Sequence, residues 1–155
     1  MPAPDLIYEL ESTRNFFNTT LSVFEAPDAA FVPHAGMFSV AGQVAHVGDT
    51  IDWFIVGAFG PGWDMDFDAG VARAKAVTSL EDARAMMLAS FDKAIAVVSA
   101  ATDDELNAPI PNDTIMNGAP RRSVINAIVD HTAHHRGALS VYARLLGKVP
   151  MMPYA

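Results

Sequence analysis

Apolar side chains along this chain recur mainly at intervals of three and four, the spacing that places them on one face of an α-helix. Leu6, Leu10, Phe17, Leu21 and Phe24 share one side of a segment running from about Asp5 to Phe24. Asp5 is a residue type that caps helix starts, and Pro27 marks the exit. A second stretch opens at Ser39 and stops at "GAFGPG", which cannot continue a helix. It carries Val40, Val44, Val47, Ile51, Phe54, Ile55 and Ala58. A third begins at Ser79, where "SLED" has the form of a capping box with Asp82 in the acidic position. Its apolar face comprises Leu80, Met87, Phe91, Ile95 and Val98. A fourth runs from Pro120 to Leu146, with proline tolerated at its first position and Gly147 as the terminating residue.

The segments between are of three kinds. "EAPDAAFVPHAGMF" reads as a loop rich in proline and small residues, and "WDMDFDAGVARAKAVT" as a mixed connection without a dominant period. "NAPIPNDTIMNGAP" holds two prolines and the turn dipeptide Asn117-Gly118, with room for a short extended piece or hairpin. Four amphipathic helices in 155 residues predict an all-α fold, a four-helix bundle forming a single domain over residues 1–155. The two long connections allow a topology other than simple up-and-down order.

Composition narrows the function. A formal charge of −8, with only "PRR" at 120–122 locally basic, excludes a nucleic-acid partner. The absence of cysteine excludes disulfides, thiolate metal sites, a cysteine nucleophile and a cysteine-based redox sensor. "MPAPDLIYEL" lacks the basic and apolar regions of a signal peptide, and no apolar run approaches the roughly 20 residues that cross a bilayer. A cytoplasmic protein without membrane contact is expected.

Against this background "DHTAHHRGALSVYARLLG" stands out, with three of the five histidines inside five positions. At about 100° per residue, with Ile128 as zero, Val124, Thr132, Leu139, Tyr142 and Leu146 fall within roughly 40°. His135 lies about 20° away and His131 about 60°, both within the apolar stripe, while His134 lies about 120° off and faces the bundle edge or solvent. His131 and His135 are therefore an i,i+4 pair on one inward face. Two adjacent buried imidazoles are costly alone, because their nitrogens want hydrogen bonds and both cannot carry a proton. They satisfy each other and nearby polar groups, or they bind a divalent metal, for which this spacing on a helix is suited. A third ligand must then come from elsewhere. His34 and His46 are the other histidines, and periodicity does not select His46, which sits off the main stripe beside Gln43, Thr50, Trp53 and Gly57. Asp49 and Asp52 are alternative oxygen ligands or hydrogen-bond acceptors.

The stretch "HTAHHRGALSVYARLLGKVPMMPY", with "NGAPRR" upstream and the histidine of "VAHVGDTIDWF", resembles the DinB family. The likeness extends over nearly the whole chain in helix order and is strongest over Asn117 to Tyr154. It implies a four-helix bundle with a crossed long connection, often assembled as a homodimer. It also implies a divalent metal (nickel, zinc or iron) held by His46, His131 and His135. Family members commonly have glutamine after "HHRG"; here Ala138 stands in its place, about 80° from the stripe centre.

Three neutral imidazoles leave a coordination position open, as catalytic metals require. The expected function is a metal-dependent enzyme acting on a small molecule. The family resemblance implies a thiol-dependent S-transferase using a low-molecular-weight thiol; a hydrolase is the other reading. Trp53, Phe54, Tyr142 and Ala138 would line or flank the pocket, and Asp49 would orient a ligand ring or activate water. The alternative is a non-catalytic, metal-containing stress or interaction protein working as a dimer, with Met86, Met87, Met151 and Met152 contributing apolar contact surface.

Overall fold

The computed structural model describes residues 3–155. Four long helices make the bundle: α1 (Ala3–Leu21), α2 (Val40–Phe59), α4 (Leu80–Ala100) and α6 (Ser123–Leu145). Two shorter ones, α3 (Phe67–Ala76) and α5 (Asp103–Asn107), lie in the connections. Among the described residues the strand-like pairing is confined to an isolated antiparallel bridge between Pro109 and Pro120. It closes the short hairpin for which the sequence left room. No helix among the described residues is long and apolar enough to cross a membrane.

Local chemistry sets the ends. Ser39 Oγ accepts from the Gly42 amide at 3.0 Å, and Ser79 Oγ from the Asp82 amide at 3.2 Å, so both serines act as the sequence predicts. Gly147 ends α6 with φ +75°, while the amide of Lys148 donates to Ala143 O and that of Gly147 to Arg144 O. This is the Schellman arrangement, in which glycine takes the left-handed position without steric cost.

Three boundaries differ from expectation. α1 is already helical at Ala3, so Asp5 lies in its first turn, where its charge favours the helix dipole without capping. α1 also ends at Leu21, although Phe24 beyond it remains buried. α6 starts at Ser123 because Pro120 is held in the bridge and the amides of Arg121 and Arg122 donate to Ala108 O and Leu106 O. The segment 63–78 contains α3, capped by Asp66, whose Oδ1 accepts from the Ala69 amide at 2.9 Å. Only Ala74 of α3 is fully buried, so it carries no apolar stripe that periodicity could detect.

Side-chain contacts fix the topology. Beyond α1, Phe31 meets Tyr142 late in α6, and Glu25 and Asp28 pair with Lys148 just after α6. α1 and α6 therefore end at one pole and run parallel. α4 starts at that same pole, where Arg84 donates to Leu21 O, and runs back past Arg14, which pairs with Asp92 at 2.7 Å. α2 descends with it: Gly48 meets Met87, and Asp52 reaches Ser90 and Lys93. At the other pole Arg121 stacks over Phe59. Two parallel pairs result, α1 with α6 and α2 with α4, and the chain must climb the bundle between α2 and α4. α3, packed on α2, lies in that crossing connection.

The core follows the predicted stripes, with Leu10, Phe17, Leu21, Val44, Val47, Met87, Phe91, Val98 and Leu139 fully buried. At Gly48 the α2 and α4 backbones approach so closely that a Cβ would lie 3.0 Å from Met87 Cα. Met87 is thus core, whereas Met86, Met151 and Met152 are exposed. α2 buries more than one face, since α3 and α6 cover the side that carries His46, Thr50 and Trp53.

Candidate metal centre

Parallel packing within each pair makes α2 and α6 antiparallel neighbours, and this brings three imidazoles together. His135 is buried, His131 is half-buried, and His134 is exposed, as the helical wheel predicts. His46, from the second face of α2, completes the group. Its ring centroid lies 5.1 Å from that of His131 and 4.8 Å from that of His135. One nitrogen from each of the three lies within 4.8 Å of the others. His34 does not join them; it is exposed in the 25–39 loop, its Nδ1 3.0 Å from Ala35 O.

Hydrogen bonds decide which nitrogen of His135 is available. The Tyr142 hydroxyl has one proton, and it donates this to Phe38 O at 3.0 Å. It can therefore only accept from Gln43, whose Nε2 lies 3.1 Å away. That turns the Gln43 oxygen toward His135 Nδ1, which must donate to it. His135 Nε2 is left with its lone pair, 3.1 Å from His131 Nε2. Two nitrogens each about 2.1 Å from one ion, at roughly a right angle, are separated by about this distance. His46 Nδ1 is buried with no hydrogen-bond partner among the described residues.

Protonation would oppose ligation, and the environment suppresses it. Burial first, then the neighbouring imidazoles, push His135 down to about 3 and His131 down to about 4 from the ordinary 6.5. His46 is lowered too, chiefly by burial, with Asp49 opposing the shift. All three are neutral at pH 7. The donor set thus fits a divalent cation on three counts: neutral imidazoles, an orphaned buried nitrogen and a fixed tautomer.

His46 and His131 also form one wall of a cavity of about 190 Å³ between α2, α3 and α6. Trp53, Phe67 and Val71 supply much of its apolar surface, and Asp49, Asp64, Asp66 and Arg73 its charges. Trp53 is among the residues lining the cavity. The other expected pocket residues are placed differently. Phe54 packs against Trp53 and Trp63, Tyr142 is buried where it holds Gln43, and Ala138 lies half-buried on α6 outside the lining. Asp49 does not hydrogen-bond a histidine ring; both its oxygens accept from Arg73, at 3.1 and 3.2 Å. Asp52 points to α4, where it accepts from Ser90 at 3.2 Å and pairs with Lys93.

The comparison with known families is decisive at this point: the profile of the DinB superfamily matches residues 9–139. The chain belongs to the DinB superfamily. Among solved structures it is similar to YfiT from Bacillus subtilis, with 14% identity and a TM-score of 0.70 over 94% of this chain and 88% of that one. YfiT is described as "a probable metal-dependent hydrolase with an unusual four-helix bundle topology", and at this identity the likeness speaks for the fold. No curated protein matches the sequence.

Two parts of this DinB site escaped sequence reasoning. Gln43 shares the α2 face with His46 three positions away, a signal that was visible but carried no role until α6 was docked. Arg73, Asp64, Asp66 and Phe67 come from α3 and the loop before it, where an alanine-rich, glycine-broken sequence gave no face to read.

Proposed function

We propose that this DinB protein is a metal-dependent enzyme that acts on a small molecule bound in the cavity beside His46 and His131. One observation carries the reading: three neutral imidazoles converge at the wall of a cavity large enough for a small substrate. His46, His131 and His135 would hold the ion. A divalent ion there supplies Lewis acidity, polarising a substrate oxygen and lowering the pKa of a water or thiol that it binds.

The chain's own residues do the rest. Gln43 and Tyr142 keep His135 in the ligating tautomer, and Phe38 stacks on the His46 ring with centroids 4.9 Å apart. Trp53, Phe67 and Val71 offer apolar surface to the substrate's apolar part. Arg73 holds both oxygens of Asp49 and so fixes this carboxylate beside the imidazoles.

Hydrolysis is the reading favoured by the description of YfiT. Thiol-dependent transfer is the second, and it is favoured by the engagement of Asp49 with Arg73. With this carboxylate occupied, a nucleophile that loses its proton on binding the ion has the advantage, and with no cysteine in the chain the thiol would come from a substrate. Metal analysis of purified wild-type protein and of His135→Ala tests the shared core. About one ion per wild-type chain and a strongly reduced content in the variant are expected, and wild-type protein that takes up no nickel, zinc or iron sinks the proposal. Simple esters and amides, and an electrophile with a panel of small thiols, then separate the two reactions.

A further inference from the structure

Beyond the imidazoles, the cavity has a composition of its own. Asp49, Asp64 and Asp66 bring three carboxylates to its lining, and Arg73 brings one guanidinium. Arg73 binds Asp49 through Nε and Nη2, so that pair is close to self-neutralising. The field of Asp64 and Asp66 also acts on Arg73, behind the Asp49 hydrogen bonds and charge. Two carboxylates remain in excess at the α3 end of the cavity, and the neutral imidazoles offset neither; a divalent ion held by the imidazoles would place its charge at their wall rather than beside Asp64 and Asp66. The acids are held in place. Asp64 O accepts from the Trp53 indole at 2.6 Å, Asp64 Oδ1 from the Asp66 amide, and Asp66 Oδ1 from the Ala69 amide. The first of these bonds ties the acidic loop to the Trp53 ring. Phe67 adds a second ring, its centroid 6.0 Å from that of Trp53.

Aromatic faces attract cations through their quadrupoles, and carboxylates beside them add direct charge attraction. An anionic ligand would meet the opposite field and find a guanidinium already engaged. We propose that the cavity selects small molecules with an apolar body and a positively charged ammonium group, held by Asp64, Asp66 and the rings of Trp53 and Phe67. The inference rests on the reading of this cavity as the substrate site. It gives the substrate a polarity: its ammonium end lies toward α3 and its reacting end toward His46 and His131. Asp64, Asp66 and Phe67 are exposed, so solvent screens their attraction, and half-buried Trp53 gives the site its fixed aromatic face.

The test uses three probes of similar shape and different charge: benzylammonium, benzyl alcohol and benzoate. Each is titrated into metal-free protein while tryptophan fluorescence is followed, so the readout needs no bound ion and no turnover. Benzylammonium is expected to bind at least tenfold more tightly than benzyl alcohol, with benzoate weakest. Asp64→Asn with Asp66→Asn should erase most of that preference, since asparagine preserves the cap of α3. A charge-matched control, Asp68→Asn with Asp103→Asn, should keep it, because these exposed acids lie outside the lining. Equal affinities, a preference for benzoate, no saturation by benzylammonium, or equal loss in both double variants would overturn the inference. Metal content is measured on each protein as purified, before the ion is stripped, and the titrations are repeated on that untreated protein. A metal-free wild type with the ammonium preference intact counts against the proposed function alone, and a metal-loaded wild type lacking the preference counts against the cation site alone.

Discussion

His135 on α6 donates its Nδ1 proton to the side-chain oxygen of Gln43 on α2, and that bond determines what the imidazole can do. The amide cannot flip without cost, because Tyr142 accepts from its nitrogen and spends its own proton on Phe38 O. Changing Gln43 to leucine removes this orientation while leaving the Tyr142–Phe38 bond in place. Loss of such an outer partner typically weakens metal affinity by about 10–100-fold. We expect a fall in this range for Gln43→Leu and a smaller one for Tyr142→Phe, which keeps the Gln43 oxygen within reach. Competition with a chromophoric chelator measures both, and wild-type affinity in Gln43→Leu would falsify the tautomer argument.

Acid should destabilise the metal-free protein before its carboxylates titrate. His131 and His135 have folded pKa values of about 4 and about 3, against 6.5 when unfolded. Between these limits the unfolded chain binds more protons, so stability is complete above 6.5, declines as pH falls, and stops declining from this source below about 3. From pH 6.5 to 5 the two together cost on the order of 3 kcal/mol. Urea unfolding across that range measures it. The double variant His131→Leu, His135→Leu should show a much flatter profile, and an equally steep one would assign the effect to other groups.

The helices, their faces and the inward histidine pair were legible because each depends on a local period. Leu10, Phe17, Met87 and Leu139 are buried where a 3.6-residue repeat puts them. His46 was not legible in this way. Its face of α2 is buried by α3 and α6, and no local pattern says which distant element will cover a helix's second side. α3 stayed hidden for a related reason: a helix that buries little beyond Ala74 needs no stripe. The Asp49–Arg73 pair depends on that helix, so Asp49 could be placed near the site while its partner was missed. Tyr142 was picked for the pocket by its wheel position, but a wheel gives direction and not depth, and the residue serves from behind His135.

Gly57 is a test of how the cavity's aromatic wall is supported. A Cβ at this position would lie 2.0 Å from Cε3 of Trp63, so the indole occupies the space that any larger residue needs. Trp63 in turn lies against Trp53, with centroids 4.6 Å apart. Gly57→Ala gains about 1 kcal/mol in helix propensity, whereas displacing a packed ring costs about 1–3 kcal/mol. A net loss of about 1 kcal/mol is expected, together with altered tryptophan fluorescence. Trp63→Leu in the Gly57→Ala background should recover part of the stability. A Gly57→Ala protein with unchanged melting and emission would show that the indole is not seated on the helix.

Lys148 ties the end of α6 to the loop after α1, and this bond joins the parallel pair at one pole. Its Nζ lies 2.5 Å from Asp28 Oδ2 and 3.2 Å from Glu25 Oε2. Glu25 is largely exposed, with its side chain 80% accessible, and contributes little; Asp28, at 13%, is the partner that matters. Burial raises the Asp28 pKa, but the Glu25 amide and Lys148 outweigh it and hold the group below its usual 3.8. By linkage that contribution is present above the unfolded value and disappears as pH falls through the folded one. Lys148→Met leaves the carboxylate with its backbone bond alone, and should lower the melting temperature at neutral pH. Asp28 should also titrate higher in the variant, with the cost shrinking toward pH 3. Thermal melts of both proteins at pH 7 and near pH 3 check the size and the sign. A variant as stable as wild type at neutral pH, or one whose deficit grows with acidification, would mean that packing rather than the ion pair holds this pole together.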